Sequence, residues 1–351
     1  LKPLPGWGGS SACMGAAHGC ESQEGRSFTA TKPPAVRPDL CEDACDDRCC
    51  ERKAARPIPG QVVARIGKTG PAPHQLGGGG DDYFVRDLRE LRSLDQDGPS
   101  GPRPRFNFRS TGGSYLGQWR GNTRHGLGEQ KWVDGALYIG HWNESAAEGL
   151  GHFTHADGDV FLGQWRGSMA EGLGVYYHEE GVSTSEGEWV EDRLHGSGVE
   201  QWDGDGQGSS KYLGQFLHGE KDGYGVYQWP DGSVYSGQWD TNSISGYGHY
   251  ADADGREFRG TWFEGVIHGC GKYTWPDGRS FYGQYADDQK HGFGTFTWVD
   301  GRRFEGFWSD GKPHGYGTVY SANGELLKQG IWNHGQPPEA WESWWGQASQ
   351  A

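Results

Sequence analysis

Six of the seven cysteines lie within the first 50 residues, at Cys13, Cys20, Cys41, Cys45, Cys49 and Cys50. Thiols at that density could ligate a metal, pair as disulfides or carry a lipid. The run Cys41-x3-Cys45-x3-Cys49-Cys50 lacks the Cys-x2-Cys knuckle of most structural zinc sites. On a helix it would bring three thiols to one face. Free thiols are the simplest reading, disulfides the alternative in an oxidising compartment, and metal or lipid attachment the remaining ones. Cys270 stands apart, between two glycines where other segments carry Leu127, Tyr224 or Phe293, and reads as a packing residue.

Other chemistry-bearing patterns dissolve on inspection. Asp203-Gly-Asp205-Gly-Gln207-Gly208 imitates the first half of a calcium loop. Its twelfth position is Gly214, where a bidentate Glu is needed, so a bulged loop is expected. Gly67-Lys68-Thr69 resembles the end of a phosphate loop, yet Val62 stands where the first glycine belongs. His125, His195, His268, His291 and His314 each precede a glycine at a recurring interval. One per repeat puts them about 10 Å or more apart, too far to share an ion. Neither a nucleophile elbow nor a His-Glu-x-x-His motif stands out. The expectation is a chain with no catalytic residue, no cofactor, no metal and no small-molecule substrate.

The elements behind these residues are repetitive. Aromatic-x-Gly-x-aromatic recurs as Tyr115-Gly117-Trp119, Tyr138-Gly140-Trp142, Phe161-Gly163-Trp165, Tyr212-Gly214-Phe216, Tyr235-Gly237-Trp239, Phe258-Gly260-Trp262, Phe281-Gly283-Tyr285 and Phe304-Gly306-Trp308. Ser185-Gly187-Trp189 is a degenerate copy and Lys328-Gly330-Trp332 a final half copy. Gly-x-Gly keeps step with it, from Gly126/Gly128 to Gly315/Gly317. Two motifs sharing one period of about 23 residues define a tandem repeat.

Strand alternation sets the faces. In Tyr235-Ser236-Gly237-Gln238-Trp239 the rings and the glycine share one side, and Gly225, Tyr227 and Trp229 do likewise. Glycine weakens a strand, so its recurrence needs a steric reason, and a neighbouring repeat's ring lying over bare backbone supplies one. Asp-Gly or Asn-Gly follows each second strand, for example Asp231-Gly232 and Asn323-Gly324. That dipeptide predicts a tight hairpin turn with positive φ at both residues. The fold class is therefore all-β, an elongated twisted antiparallel sheet of about nine stacked hairpins. The rings expected to meet a protein partner are Tyr227, Trp229, Tyr235, Trp239, Tyr273, Trp275 and Trp298.

These motifs closely resemble the MORN repeat (membrane occupation and recognition nexus) over residues 113–335. The fourth copy departs, with Ser185 for the aromatic and Glu180-Gly181 for Asp-Gly. The resemblance implies a β-sheet solenoid acting as a scaffold or docking surface, as in ciliary radial spokes, cytoskeletal structures, membrane junctions and some kinases. It favours a cytoplasmic or cytoskeletal setting such as a cilium. Leu1 in place of Met and the N-terminal cysteines suit a processed chain in an organelle.

Around the array the chain reads differently. Residues 1–80 form an extended Cys/Gly/Pro-rich arm, 81–97 a short amphipathic helix and 98–112 a linker. Asp81 or Asp82 can cap the helix, and Phe84, Leu88 and Leu91 share a face at i, i+4 and i+7 for the first repeat or a partner. Residues 336–351 form a tail whose Trp341, Trp344 and Trp345 could cap the last strand or anchor a partner. The segment 111–351 carries 16 basic against 33 acidic residues. Such a charge repels nucleic acid and anionic headgroups at long range. Protein subunits of a larger complex are the expected partners. Peripheral phospholipid binding and a regulatory arm for an enzyme elsewhere are the alternatives.

Overall fold

The computed structural model describes residues 83–94, 98–178, 182–204 and 208–338. The Cys-rich arm, including Cys13, Cys20, Cys41, Cys45, Cys49 and Cys50, lies outside the described residues, as do Trp341, Trp344 and Trp345.

One helix, α1 (Leu88–Ser93), precedes the strands β1 (Gly101–Pro102), β2 (Phe106–Asn107), β3 (Ser114–Arg120), β4 (Thr123–Lys131), β5 (Leu137–Asn143), β6 (Ala146–Thr154), β7 (Val160–Arg166) and β8 (Met169–His178). The meander continues through β9 (Ser183–Val190), β10 (Arg193–Gly204), β11 (Gly208–Leu217), β12 (Glu220–Gln228), β13 (Val234–Asp240), β14 (Ser243–Ala251) and β15 (Glu257–Phe263). It ends with β16 (Val266–Thr274), β17 (Ser280–Ala286), β18 (Gln289–Thr297), β19 (Arg303–Ser309), β20 (Lys312–Tyr320) and β21 (Leu326–Trp332). From β3 onward each strand pairs antiparallel with the next, giving one 21-stranded sheet. β1 and β2 fall in the expected linker and pair along the outer edge of β3. Pro102 and Pro104 suit an edge that must not recruit further strands.

Each hairpin registers on its glycines. In the β13–β14 pair Gly237 faces Gly248, and after a register shift Trp239 faces Ile244. Gly246, the first glycine of Gly-x-Gly, takes the bulge at φ 92°. The Gln238 side chain closes it, its Oε1 accepting from the Tyr247 amide at 2.6 Å. The second glycine has a steric task. A Cβ on Gly248 would sit 2.3 Å from the Tyr235 hydroxyl, and one on Gly237 would sit 2.5 Å from the Gly248 Cα. The covering ring thus comes from the same hairpin, two residues before Gly237, and not from the neighbouring repeat as expected. A side chain two positions along leans over its own strand and its partner, so it reaches the paired glycines before any neighbour can.

The rings then stack edge-on along the sheet. Tyr235 meets Trp239 and, one repeat on, Trp262, each with centroids 5.7 Å apart. Such T-shaped contacts let positive ring edges meet negative faces. The Tyr235 hydroxyl donates to the Gln238 carbonyl at 3.0 Å.

The turn assignments are exchanged relative to expectation. At Asp231-Gly232 only the glycine has positive φ, 89°. Trp229 N–H reaches the Ser233 carbonyl at 2.9 Å and Asp231 Oδ1 accepts from the Ser233 amide at 2.9 Å. This is a type I turn closed by a left-handed glycine. Positive φ at both central residues occurs at the other connection, at Thr241 (47°) and Asn242 (65°), for example. Those turns are two residues long, and only that twist matches the flanking strands.

α1 is shorter than expected. Its N-cap is Asp87, and Phe84 lies in the turn before it. Phe84 is buried among Tyr138, Trp142, Phe153 and Trp165 at 5.3–5.8 Å. Fully buried Asp87 accepts from Gln130 Nε2 at 2.7 Å. Glu90 accepts from the Arg109 and Ser110 amides. A six-residue helix is marginal alone and is held here by its anchors on the first repeats.

Candidate functional site

The sheet presents two unlike faces. On one, the ring ladder encloses itself: Tyr115, Tyr138, Phe161, Tyr212, Tyr235, Phe258 and Phe281 are all 0% exposed. Burial pushes the phenols of Tyr115, Tyr138, Tyr212 and Tyr235 well above their ordinary range. They stay neutral donors at any physiological pH.

The residues expected to meet a partner mostly belong to this ladder. Tyr227, Tyr235, Trp239 and Trp298 are buried, while Trp229, Tyr273 and Trp275 are partly buried against it. Phe84 and Leu91 are buried too, and Leu88 packs beside them. These side chains are taken up inside the chain. A partner could reach the buried ones only by opening the sheet.

The opposite face carries the accessible apolar groups. The residue between the two glycines points there, and Leu127, Leu150, Leu173, Tyr224, Tyr247, Phe293 and Tyr316 are exposed, Leu173 by 68%. That slot had read as packing; alternation puts it opposite the rings. Cys270 occupies the same slot and is partly exposed. A parallel row runs beside it with Leu116, Ile139, Leu162, Leu213 and Tyr282. The cross-strand pairs keep the rows aligned: Glu129 faces both Leu116 and Ile139, and His152 faces both Ile139 and Leu162. In the first three repeats both rows are aliphatic; toward the C-terminal repeats the row between the glycines turns aromatic, Phe293 stacking on Phe307 at 5.7 Å, while the other row carries Ser236, Arg259 and Glu305.

Of the calcium-like segment, Asp203 and Gly204 end β10 and Gly208, facing Gly204, begins β11, while Asp205 and Gln207 lie outside the described residues. Among the described residues no group of three or more His, Cys, Asp and Glu is placed to hold a metal. Of the glycine-preceding histidines, His195 lies near His218, with ring centroids 5.4 Å apart, and His314 near His334 at 4.3 Å. Among the described residues no helix is long and apolar enough to cross a membrane.

Fold and surface together define a single-layer repeat sheet whose chemistry is that of contact. The MORN repeat profile matches nine segments, 115–137, 138–160, 161–182, 186–207, 212–234, 235–255, 258–278, 281–302 and 304–325. The chain belongs to the MORN repeat family, a repeat of protein- and membrane-interaction type rather than a known enzyme family. No curated protein matches. Among solved structures it is similar to the TCP10 domain of Danio rerio CPAP, at 11% identity, covering 65% of this chain and 100% of that one with a TM-score of 0.30. It is also similar to the SAS-4 TCP domain of Drosophila melanogaster, solved in complex with a proline-rich motif of Ana2. That match has 15% identity, 46% and 84% coverage of this chain and that one, and a TM-score of 0.29. Superpositions that loose carry no argument about partners.

Proposed function

We propose that this chain is a non-catalytic scaffold subunit whose array docks protein partners through the face opposite the ring ladder. The observation that carries the reading is the exposed apolar face of the first three repeats, Leu116, Ile139 and Leu162 beside Leu127, Leu150 and Leu173, continued farther along by the single row Tyr224, Tyr247, Phe293 and Tyr316. Contiguous exposed apolar surface of this kind marks protein-interaction sites. A partner laid along the first three repeats gains a similar contact from each, so affinity accumulates with the number of those repeats engaged. The acidic excess over residues 111–351 supports a protein partner over an anionic membrane, which would require clustered cations near its surface.

The test replaces two of the most exposed residues, Leu150→Glu with Leu173→Glu, which leaves the ladder untouched. The thermal melting curve should stay within about 0.5 kcal/mol of the wild type, as for solvent-facing changes. Chains that co-purify with the native protein should be lost from the variant. An unchanged set of partners would overturn the reading. Recovery of wild-type protein with floated anionic liposomes at physiological salt would favour the membrane alternative.

A further inference from the structure

One repeat position, two residues before the first glycine of Gly-x-Gly, inserts its side chain into the ring ladder. Ala147, Ala170, Leu194, Ile244 and Ile267 fill it with buried hydrocarbon. Three repeats place a cation there instead: Arg124, Lys221 and Lys290. Arg124 is fully buried and donates to Gln130 Oε1 at 3.1 Å, the Phe84 carbonyl at 3.1 Å and the Ser145 carbonyl at 2.9 Å. Lys221 is 3% exposed and pairs with Glu200 Oε2 at 2.6 Å. Arg124 and Lys221, the two buried cations of the three, thus have acceptors.

Lys290 has rings only. Its Nζ lies 5.0–5.2 Å from the centroids of Trp275, Phe281, Phe296 and Trp308. Among the described residues no carboxylate comes within ion-pair distance. The reason is a single exchange. Glu200, cross-strand from Tyr212, corresponds to Tyr273, cross-strand from Phe281. The other charges around this box do not serve Lys290. Arg279 is a second cation and holds Asp277 at 2.7 Å. Asp288 accepts from the Ile267 amide at 2.8 Å, and Asp287 lies 3.6 Å from His268 Nδ1.

Rings attract an ammonium, by about 0.5–1 kcal/mol at exposed sites and about 2 kcal/mol when desolvated. They replace none of the strong hydrogen bonds that an ammonium loses to the extent that it is drawn out of water. Burial, with Arg279 adding to it, brings the Lys290 ammonium down to about 8. A lysine in an apolar box beside another cation is a nucleophile near neutral pH. Lys290 also remains partly exposed, so a small reagent can reach it.

We propose that Lys290 is the array's site of covalent acylation, taking an acyl group from an activated ester or thioester. The amine lone pair attacks the acyl carbonyl carbon and an N–C bond forms. The C–S or C–O bond to the leaving group breaks with its electron pair, and the proton lost by nitrogen goes to solvent. The step is redox-neutral. The product is a neutral amide, which removes a cation from the ladder and leaves the hydrocarbon stem in place.

Limited acetylation of the full chain by N-acetoxysuccinimide, and separately by a simple acetyl thioester, read by peptide mass spectrometry, tests this. At about pH 7.5, Lys290 should react about tenfold faster than the exposed Lys272 and Lys312, with its rate half-maximal near its own titration. Tyr273→Glu, which copies the acceptor that Lys221 enjoys, should slow Lys290 about tenfold and leave Lys272 and Lys312 unchanged. A wild-type Lys290 rate no greater than that of Lys272 and Lys312 overturns the assignment, whatever the variant does. So does an unaltered rate in a folded Tyr273→Glu protein.

Discussion

The sixth repeat and the fourth build the same hairpin from unequal parts. In the sixth, Tyr235 covers the Gly237–Gly248 pair, stacks on two indoles and bonds the Gln238 carbonyl. In the fourth, Ser185 stands in the ring's place, and the methyls of Leu194 lie 3.1 Å from where Cβ atoms on Gly187 and Gly198 would be. Trp189 still stacks on Phe161 of the previous repeat at 5.2 Å, but it has no ring on its own strand to meet. Both glycines persist without the ring. A Cβ on Gly187 would still fall 2.8 Å from the Gly198 Cα, so close backbone approach demands glycine independently. The glycine pair therefore answers two requirements, and the fourth repeat separates them.

Removing the ring is the most severe way to probe that separation. Tyr235→Ala should cost about 3–5 kcal/mol in urea unfolding, because a fully buried ring leaves a cavity in a rigid ladder. Ser185→Ala should stay within about 1 kcal/mol, and equal costs at the two sites would refute the contrast. The next effect separates the glycines. Gly248→Ala drives a methyl into the pinned Tyr235 ring and should cost about 2–3 kcal/mol. Gly198→Ala meets the Glu186 carbonyl, Leu194 and Phe216 at 3.0–3.2 Å and should cost about 1 kcal/mol, since Leu194 can turn aside. Equal melting shifts for the two would show that backbone approach alone sets the requirement. The smallest effect isolates the hydroxyl. Tyr235→Phe should cost about 1 kcal/mol by removing the bond to the Gln238 carbonyl. Phe258→Tyr in the seventh repeat should recover part of that amount; a loss there would mean the two rings are seated differently.

Much of the fold was legible because its signals are local. The 23-residue period, the strand pairs and the common face of Tyr235, Gly237 and Trp239 all follow from spacing and alternation. The candidate surface was less legible. Large aromatics suggested docking groups by residue type, yet Tyr227, Tyr235 and Trp239 are the core. The same alternation assigns the residue between the glycines to the other side, so Leu150 and Tyr224 could have been found by following the pattern one position further. The Lys290 box was not legible. It depends on Trp275, Phe281, Phe296 and Trp308, drawn from successive strands, and on a tyrosine where another repeat has Glu200.

By itself the sequence determined that hairpins repeat, which glycines are indispensable and which side chains share a face, since each follows from backbone period and the volume of a missing Cβ. Tertiary structure decided which ring covers which glycine, which of two turns takes the left-handed conformation, and which cations of the ladder find an acceptor. Those outcomes depend on strand twist and on distances between residues 14 to 27 positions apart, where side chains compete for one space and only the assembled sheet reveals the winner.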